Sequence, residues 1–246
     1  MEKKEIIKKS IFFSSLVIIF FFVFLIIINY QVEGEKEIPY KPSKILLVST
    51  VDGIANEDKE NLWNIDVIQT NDIFIYIDSD KNTNETIKEI SIENFNIIKD
   101  FEKGNIEILR PTSDLDNLYK SSVQNYLNDK IVYQGAKLDD MKSLEISNNG
   151  GIIGFRVALN NLGKFISNDE NLEIIYDGRL LSNLGISLEE IKLKLNFDII
   201  IKTSENISYK GTISMEMPTD EIITEGVSKT EIIDFSNVVF KRISSK

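Results

Sequence analysis

The chain has 246 residues, 42% hydrophobic and 27% charged, and contains neither cysteine nor histidine. These proportions are typical of globular proteins, but without thiols or imidazoles the chain has no disulfide, thiolate nucleophile or histidine metal ligand. Its formal net charge is −11, and so acidic a protein repels phosphate backbones, which disfavours nucleic-acid binding.

An apolar stretch dominates the N-terminal region. Residues 11–28 are Phe, Ile, Leu and Val, interrupted only by Ser14 and Ser15. As a helix rising about 1.5 Å per residue, this stretch is about 27 Å long, close to the roughly 30 Å hydrocarbon core of a bilayer. We therefore predict a single transmembrane helix over residues 11–29, through which the chain contacts the lipid bilayer.

Charges on either side of this helix predict its orientation. The tail, residues 1–10, contains four lysines, whereas three glutamates and one lysine follow the helix within residues 31–37. Because positive charge stays on the cytoplasmic side, we expect a cytoplasmic N-terminus and an extracytoplasmic C-terminal domain. A cleaved signal peptide is the alternative. Its apolar core is usually only about 7–15 residues long and is followed by a small-residue cleavage site. Here the run is longer, and no such site follows it in residues 29–34.

Residues 30–43 have the composition of a linker. Gly34, Pro39 and Pro42 occur there among charged residues, a mixture that favours an irregular spacer. We expect this spacer to lift a domain formed by residues 44–246 off the bilayer. Two subdomains, about 44–140 and 141–246, are the alternative organisation.

Short alternating runs predict a mainly β domain. Residues 63–78 contain two β-like runs separated at Thr70, Asn71 and Asp72, which favour turns, so a hairpin is expected there. The clearest alternation covers residues 191–217. Apolar and polar residues alternate at nearly every position there, on both sides of a turn at 204–206. This pattern indicates a half-buried hairpin and an antiparallel β-sandwich, immunoglobulin-like or jelly-roll-like.

Two further features concern local structure and repeats. Residues 179–184 predict one helical turn closed by Gly185, since glycine readily adopts the left-handed conformation that ends helices. The two predicted hairpins also raise the hypothesis of an internal duplication, with chance similarity of alternating strands as the alternative.

One stretch has the ligand spacing of a calcium loop. Its candidate oxygen ligands are Asp78, Asp80, Asn82, Asn84 and Glu89. Against calcium, Thr83 replaces the glycine that makes the sharp turn in an EF-hand, and a strand rather than a helix is expected before it. Calcium is thus the one cofactor the pattern suggests, and a solvated loop between strands is the alternative.

Acidic pairs are the remaining source of catalytic groups. Adjacent acids occur at 139–140, 169–170 and 189–190, but acids are so numerous that such pairs indicate a solvated surface. We therefore expect no enzymatic activity. The alternative, a carboxylate-dependent cell-wall hydrolase, requires two acids converging in a cleft.

Binding residues are expected where periodicity is weakest. Residues 111–140 are polar and largely aperiodic, and they supply the candidate binding residues Tyr119, Tyr126 and Tyr133. Tyrosine is enriched at recognition surfaces, and loops on a rigid sheet commonly carry binding residues. Trp63, Phe74 and Tyr76 could also expose ring faces for sugars or peptides, but their period-two spacing favours a position in or beside the core.

Together these features predict a membrane-anchored, extracytoplasmic binding or scaffold module of the bacterial cell envelope. The expected partner is an envelope protein or a polysaccharide, and an accessory subunit of a membrane complex is a further alternative. In architecture alone, the chain resembles single-pass, strand-rich envelope proteins of Gram-positive bacteria.

Overall fold

The computed structural model describes residues 2–56, 63–80, 83–111, 125–135, 144–169, 173–174 and 178–243. A long N-terminal helix precedes a mainly β domain in which two sheets pack together like a sandwich. The helical segments are α1 (Glu2–Glu33), α2 (Arg179–Asn183), a 3₁₀ turn (Leu188–Glu190) and α3 (Ile222–Glu225). The strands are β1 (Tyr40–Ala55), β2 (Trp63–Ser79), β3 (Ile87–Ile98), β4 (Asn105–Leu109), β5 (Ile131–Gln134), β6 (Leu144–Glu145), β7 (Gly150–Ser167), β8 (Lys194–Thr203), β9 (Ser208–Glu216), β10 (Val227–Ile232) and β11 (Lys241–Ile243).

The strands form two sheets. Sheet A has the order β10-β1-β2-β7-β4, and sheet B has the order β11-β9-β8-β3-β5-β6. Neighbouring strands are antiparallel except for the parallel pair β5–β6. Each sheet combines strands from both halves of the chain, so the sheets show no boundary between the alternative subdomains 44–140 and 141–246.

The main core lies between the two sheets. At its centre the rings of Phe155 in sheet A and Phe197 in sheet B meet edge to face at 85°, with centroids 5.4 Å apart. Phe95 packs beside both rings. Aromatic pairs in this geometry add stability beyond their buried area, so this cluster joins the sheets at their middle.

A second core covers the far end of sheet A. Strands β1, β2 and β7 have 16, 17 and 18 residues, longer than β8 and β9 of sheet B, with 10 and 9. Beyond sheet B, Val67 and Leu159 instead pack against Leu181 of α2 and Ile222 of α3. The short helices therefore bury the apolar face that sheet B leaves uncovered.

The predicted hairpin within residues 63–78 is wrong, because these residues form the single strand β2. Asn71, expected in a turn, is fully buried at 0% exposure. Its side chain accepts a hydrogen bond from the Ser49 hydroxyl (2.6 Å) and donates one to the Val157 carbonyl (3.1 Å). Neighbouring strands thus satisfy the polar groups that would otherwise favour a turn. The duplication hypothesis loses one of its two hairpins.

The prediction for residues 191–217 is confirmed. Strands β8 and β9 pair with Phe197 opposite Ile213, and both side chains are buried. The connecting turn contains Asn206 with φ of 62°, a conformation that asparagine tolerates. The helical turn closed by Gly185 is also found, as α2 followed by a glycine with φ of 64°.

The N-terminal helix is longer than the predicted 11–29. Within α1, residues Ile7–Glu33 form a span long and apolar enough to cross a membrane, and an 18-residue window in it has a mean hydropathy of 3.2. Strand β1 then begins at Tyr40, inside the predicted linker 30–43, and Tyr40 is only 1% exposed. The segment between helix and sheet is therefore shorter than the sequence indicates.

Candidate functional site

The outer face of sheet A, which points away from the core, carries a cluster of apolar side chains. Phe74 and Tyr76 of β2 point outward, and Tyr76 pairs in register with Lys44 on one side and Ile152 on the other. Ile152 is 54% exposed, so the cluster has an accessible apolar edge. We call these outward residues the apolar strip: Leu46, Val48, Phe74, Tyr76 and Ile152.

Gly154 lies beside Phe74 on the outer face of sheet A. It pairs with Phe74 across β2 and β7, and a Cβ atom built on Gly154 would lie 3.2 Å from Cδ1 of Phe74. The phenyl ring therefore packs against bare backbone. A side chain at this position would require the ring to move by a few tenths of an ångström.

Charged groups border the apolar strip on two sides. The Lys44 ammonium lies 4.3 Å from the centroid of the Tyr76 ring and 3.5 Å from the Glu231 carboxylate. On the next outward row, the Arg156 guanidinium donates two hydrogen bonds to Asp72, of 2.7 and 2.8 Å. Such bidentate pairs have a fixed geometry. A flat apolar surface with fixed charges at its border is suited to binding a ligand.

The interpretation of Trp63, Phe74 and Tyr76 as core aromatics is therefore wrong for the last two. The isoleucines within 73–77 occupy the inward positions, and both rings lie on the outer face. Trp63 lies at the start of β2, where its indole N–H donates to the Asp169 carbonyl at 3.2 Å. The available signal was that residues 73–77 are apolar on both faces, unlike a strand with one solvated side.

The structure also corrects the prediction for Tyr133. Its side chain is 2% exposed and belongs to the core between the sheets. The hydroxyl donates a 2.5 Å hydrogen bond to the carbonyl oxygen of Gly154, which satisfies a polar group that would be costly to bury alone. Tyr133 thus supports from inside the same backbone on which Phe74 packs from outside.

The other two candidate tyrosines differ in what the structure shows. Tyr126 is half-buried, with the Arg110 guanidinium 5.9 Å from its ring centroid, and its backbone N–H donates to the Ile108 carbonyl of β4 at 2.8 Å. Tyr119 lies outside the described residues. A binding role for Tyr119 and Tyr126 stays a prediction.

The candidate calcium ligands lie on both sheets. Asp78 is near the end of β2 in sheet A with Asp80 just beyond it, whereas Glu89 is within β3 of sheet B. Asn84 is exposed between these strands, and Asn82 lies outside the described residues. In the part of the chain that the structure describes, acidic side chains form no group of three or more that could hold a metal ion. Calcium binding by this loop stays a prediction.

The acidic pair Glu189–Glu190 has structural partners. Glu190 accepts a 3.0 Å hydrogen bond from the backbone N–H of Ser187 and lies 3.0 Å from the Lys103 ammonium. The hydrogen bond from Ser187, aided by Lys103, lowers the pKa of Glu190 to about 2. Glu189 pairs with Lys192 at 2.7 Å. Both acids thus stabilise the turn before β8. The pairs at 139–140 and 169–170 fall wholly or partly outside the described residues.

A second distinctive region is the junction between α1 and the β-domain. Gly34 ends the helix with φ of 71°, and its N–H donates to the Tyr30 carbonyl at 2.9 Å. The next N–H, of Glu35, donates to the Phe240 carbonyl at 2.7 Å. A Cβ atom on Gly34 would lie 2.3 Å from that same carbonyl oxygen. Only glycine fits here without displacing the backbone.

Strand β11 completes the junction through three polar contacts. The backbone N–H of Arg242 donates to the Tyr30 hydroxyl at 2.8 Å, and the Lys241 ammonium donates to the Gln31 side-chain carbonyl at 2.7 Å. The Arg242 guanidinium also lies 3.4 Å from the Glu35 carboxylate. These contacts tie the last helical turn to the edge of sheet B. The start of the predicted spacer is therefore a packed joint.

The junction encloses one side of an open cleft of about 450 Å³. We call it the junction cleft, and its walls come from the end of α1, the start of β1, the end of β2 and the segment before β11. It is lined by Glu33, Glu35, Lys36, Ile38, Lys41, Pro42, Ser79, Asp80, Phe235, Val238 and Phe240.

The apolar strip and the junction with its cleft are thus the two candidate functional regions. Comparison with known protein families, with curated proteins and with solved structures found no match to this chain. Roles for both regions are therefore inferred from their geometry and chemistry.

Proposed function

We propose that the protein is a membrane-anchored binding or scaffold module of the bacterial cell envelope, in which α1 spans the membrane and the β-domain lies on the extracytoplasmic side. The apolar strip on sheet A is its binding surface. The partner is an envelope protein or a neutral polysaccharide, since the acidic chain disfavours polyanions.

The apolar strip carries this proposal. It lies across β1, β2 and β7, the three longest strands, which have cores on their inner side. Its backbone is therefore held rigidly, and a rigid surface loses little conformational entropy on binding. Aromatic and aliphatic side chains grouped on an outer sheet face, with fixed charges around them, are typical of interaction surfaces.

Anchoring is supported by the composition of α1 and by the position of its charges. The span Ile7–Glu33 is long enough for a bilayer. The four lysines within residues 1–10, before the apolar run, favour a cytoplasmic N-terminus. The joint at Gly34 would then hold the β-domain close to the membrane surface. Partners within reach are those that approach the bilayer.

The finer fold class, an immunoglobulin-like or jelly-roll-like sandwich, belongs to the same proposal. Two mostly antiparallel sheets with a shared core support a sandwich. An experimental structure with the connections traced in full would decide between the two types.

Site-specific photocrosslinking tests the binding surface with a matched control. A photoreactive phenylalanine replaces Ile152 in the strip, and in a second variant it replaces Ile166. Both isoleucines lie on the outer face of β7, with exposures of 54% and 53%. They pair with Tyr76 and Asn64 of β2, which are twelve residues apart, so about 3.3 Å per residue places them roughly 40 Å apart. The variants therefore share strand, face and exposure but differ in distance from the strip.

We expect irradiation of intact cells to give a discrete crosslinked species from position 152 and not from 166. Replacing Phe74 with serine in the position 152 variant should abolish that species. Equal crosslinking at both positions, or a product insensitive to Phe74, would mean that the strip is not the binding surface.

An accessory subunit of a membrane complex is a second candidate, favoured by α1 itself. Residues 7–29 of this phenylalanine-rich helix are exposed within the chain, so their side chains remain available to neighbouring helices. Native electrophoresis of the gently solubilised protein should show a complex larger than the detergent-bound monomer. A lone monomer would contradict this candidate.

A further inference from the structure

The height of the junction cleft above the membrane follows from the helix that leads to it. The apolar run ends at Ile28, and Glu33, which lines the cleft, is five residues further on. At about 1.5 Å per residue, Glu33 is about 7.5 Å beyond the hydrocarbon boundary. The polar layer on each side of a bilayer is roughly 5–8 Å thick. With α1 spanning the membrane, the cleft opens at the level of the lipid headgroups.

The joint holds the cleft at this height. One backbone–backbone hydrogen bond, one hydrogen bond from a backbone N–H to a side chain and two contacts between side chains link residues 30–35 to residues 240–242. Because Gly34 has no space for a side chain beside the Phe240 carbonyl, the helix and the base of the domain keep one relative position. A headgroup entering the cleft therefore meets a preformed surface.

The lining of the cleft is apolar on one side and carries charges of both signs. The apolar wall consists of Ile38, Phe235, Val238 and Phe240. Lys36 is already paired with Glu33 at 2.6 Å. Lys41 is exposed on β1 at the same cleft and brings a second ammonium group.

The balance of charge selects among lipid classes. Three carboxylates, those of Glu33, Glu35 and Asp80, line the cleft against two ammonium groups. The Arg242 guanidinium, 3.4 Å from Glu35, offsets one of these carboxylates, so the two signs are close to balance and the cleft does not favour a headgroup with a net charge. A headgroup that carries a phosphate and an amine together can satisfy both signs.

We propose that the junction cleft binds the headgroup of a zwitterionic, amine-bearing phospholipid. The phosphate contacts Lys41, the amine faces the carboxylates, and the glycerol backbone packs against Val238 and Phe235. This inference rests on the proposed membrane anchoring, because it takes the height of the cleft from α1. The ligand is a bilayer lipid and not a soluble metabolite.

The test uses the full chain purified in detergent and native mass spectrometry. Short-chain phosphatidylethanolamine and phosphatidylglycerol with identical acyl chains are the two lipid probes, and free phosphoethanolamine is the soluble probe. We expect about ten-fold tighter binding of phosphatidylethanolamine than of phosphatidylglycerol, which corresponds to about 1.4 kcal/mol. Phosphoethanolamine alone should bind far more weakly, because it lacks the glycerol and acyl groups.

Two charge reversals locate the site. Lys41→Glu should weaken the binding of both lipids, because it removes the ammonium group that contacts the phosphate they share, whereas Lys229→Glu should leave binding unchanged. Lys229 is also an exposed lysine on a strand of sheet A, but it lies on β10 and does not line the cleft. Equal binding of the two lipids by the unaltered chain, or the same weakening in the Lys229 variant, would overturn the proposal.

The outcome can be separated from that of the proposed function. Extraction of bacterial membranes with alkaline carbonate tests whether α1 is integral to the bilayer, independently of lipid selectivity. Release of the chain by carbonate would refute the anchoring. Retention of the chain together with unselective lipid binding would refute only the headgroup site.

Discussion

Strands β2 and β8 lie at the centres of sheets A and B, and they differ in how polar and apolar residues divide between their faces. On β8, Phe197 and Ile199 point into the core while Lys194 points to solvent. On β2, the inner face includes the buried polar residues Gln69 and Asn71, and the outer face carries the apolar strip. β8 therefore has an apolar inner face and an outer face that is polar except for Ile200, whereas β2 follows no such division.

The difference shows that β2 has structural features beyond covering one core. A strand with one polar face requires only that polar and apolar residues alternate, and the local sequence pattern then agrees with the fold. β2 departs from alternation twice, and each departure has a structural counterpart. The inner polar residues lie between the two cores, and the outer aromatics lie on an exposed face. Four predictions test this contrast, from the largest expected effect to the smallest.

Phe197→Asp tests the regular strand and should have the largest effect. It places a charge at a position 1% exposed, against the ring of Phe155. An unpaired buried charge and the lost aromatic contacts should together cost more than about 4 kcal/mol. Denaturant unfolding of the full chain in detergent measures this loss.

Lys194→Asp is the control on the same strand with the opposite parity. Lys194 is exposed and pairs in register with Glu216, so the variant places two carboxylates opposite each other. That repulsion should cost less than about 1 kcal/mol. Similar losses at both positions would mean that the register of β8 is wrong.

Asn71→Leu tests the polar interior of β2. The change keeps the branched heavy-atom shape of the side chain but removes the partner of the Ser49 hydroxyl (2.6 Å) and of the Val157 carbonyl (3.1 Å). Leaving buried polar groups unsatisfied should cost about 2–3 kcal/mol. Gln69→Leu is the matched change. Gln69 donates one 3.2 Å hydrogen bond, to Asn71 Oδ1, but its own Oε1 is buried without a partner among the described residues. Because the variant removes this unsatisfied oxygen together with the bond, it should cost less than about 1 kcal/mol.

The result of this pair decides whether β2 needs its polar layer. If Asn71→Leu left the free energy of unfolding unchanged, the buried polar residues between the two cores would contribute no stability. A larger loss for Gln69→Leu than for Asn71→Leu would contradict the assigned hydrogen bonds.

Gly34→Ala tests the joint that sets the β-domain against α1. Both Gly34 and Gly185 have positive φ, of 71° and 64°, so alanine at either pays the cost of the left-handed conformation, about 1 kcal/mol. Only at Gly34 would the new Cβ also meet backbone, the Phe240 carbonyl oxygen at 2.3 Å. At Gly185 nothing lies within 4 Å.

We therefore expect about 2 kcal/mol of destabilisation for Gly34→Ala and about 1 kcal/mol for Gly185→Ala. The distribution of distances between spin labels on α1 and on sheet B should broaden only in the Gly34 variant. Equal behaviour of the two variants would show that the joint does not restrain the helix.

Acidification should have the smallest effect and act on the outer face of sheet B. Burial alone would raise the pKa of Asp198, but hydrogen bonds from Lys210, Thr212 and Asn94 outweigh it and hold this pKa below its ordinary value. The resulting stability is present above the unfolded pKa of about 3.9 and is lost as the pH falls through the folded pKa.

Asp198→Asn should therefore flatten the fall in unfolding free energy below about pH 4, as measured by denaturant titrations at several pH values. The residual acid dependence then comes from the other carboxylates. An unchanged profile would mean that Asp198 does not contribute to acid sensitivity.

Local sequence determined several elements of this protein. The apolar run that became α1, the hairpin β8–β9 and the turn closed by Gly185 each follow from patterns within about 30 residues of chain. In the β8–β9 hairpin and in the turn at Gly185 the hydrophobic pattern, the turn residues and the burial agree, and α1 follows from its continuous apolar run. Sequence reasoning predicted them because no distant partner was needed to decide their conformation.

Tertiary structure alone decided the continuity of β2, the burial of Tyr133 and the packed joint at Gly34. Asn71 became a strand residue because Ser49 and Val157, far away in the chain, satisfy its side chain. Tyr133 found its hydroxyl acceptor at Gly154 in the opposite sheet. Periodicity shows that a face exists, but what covers that face depends on contacts between distant segments, and no local pattern encodes those contacts.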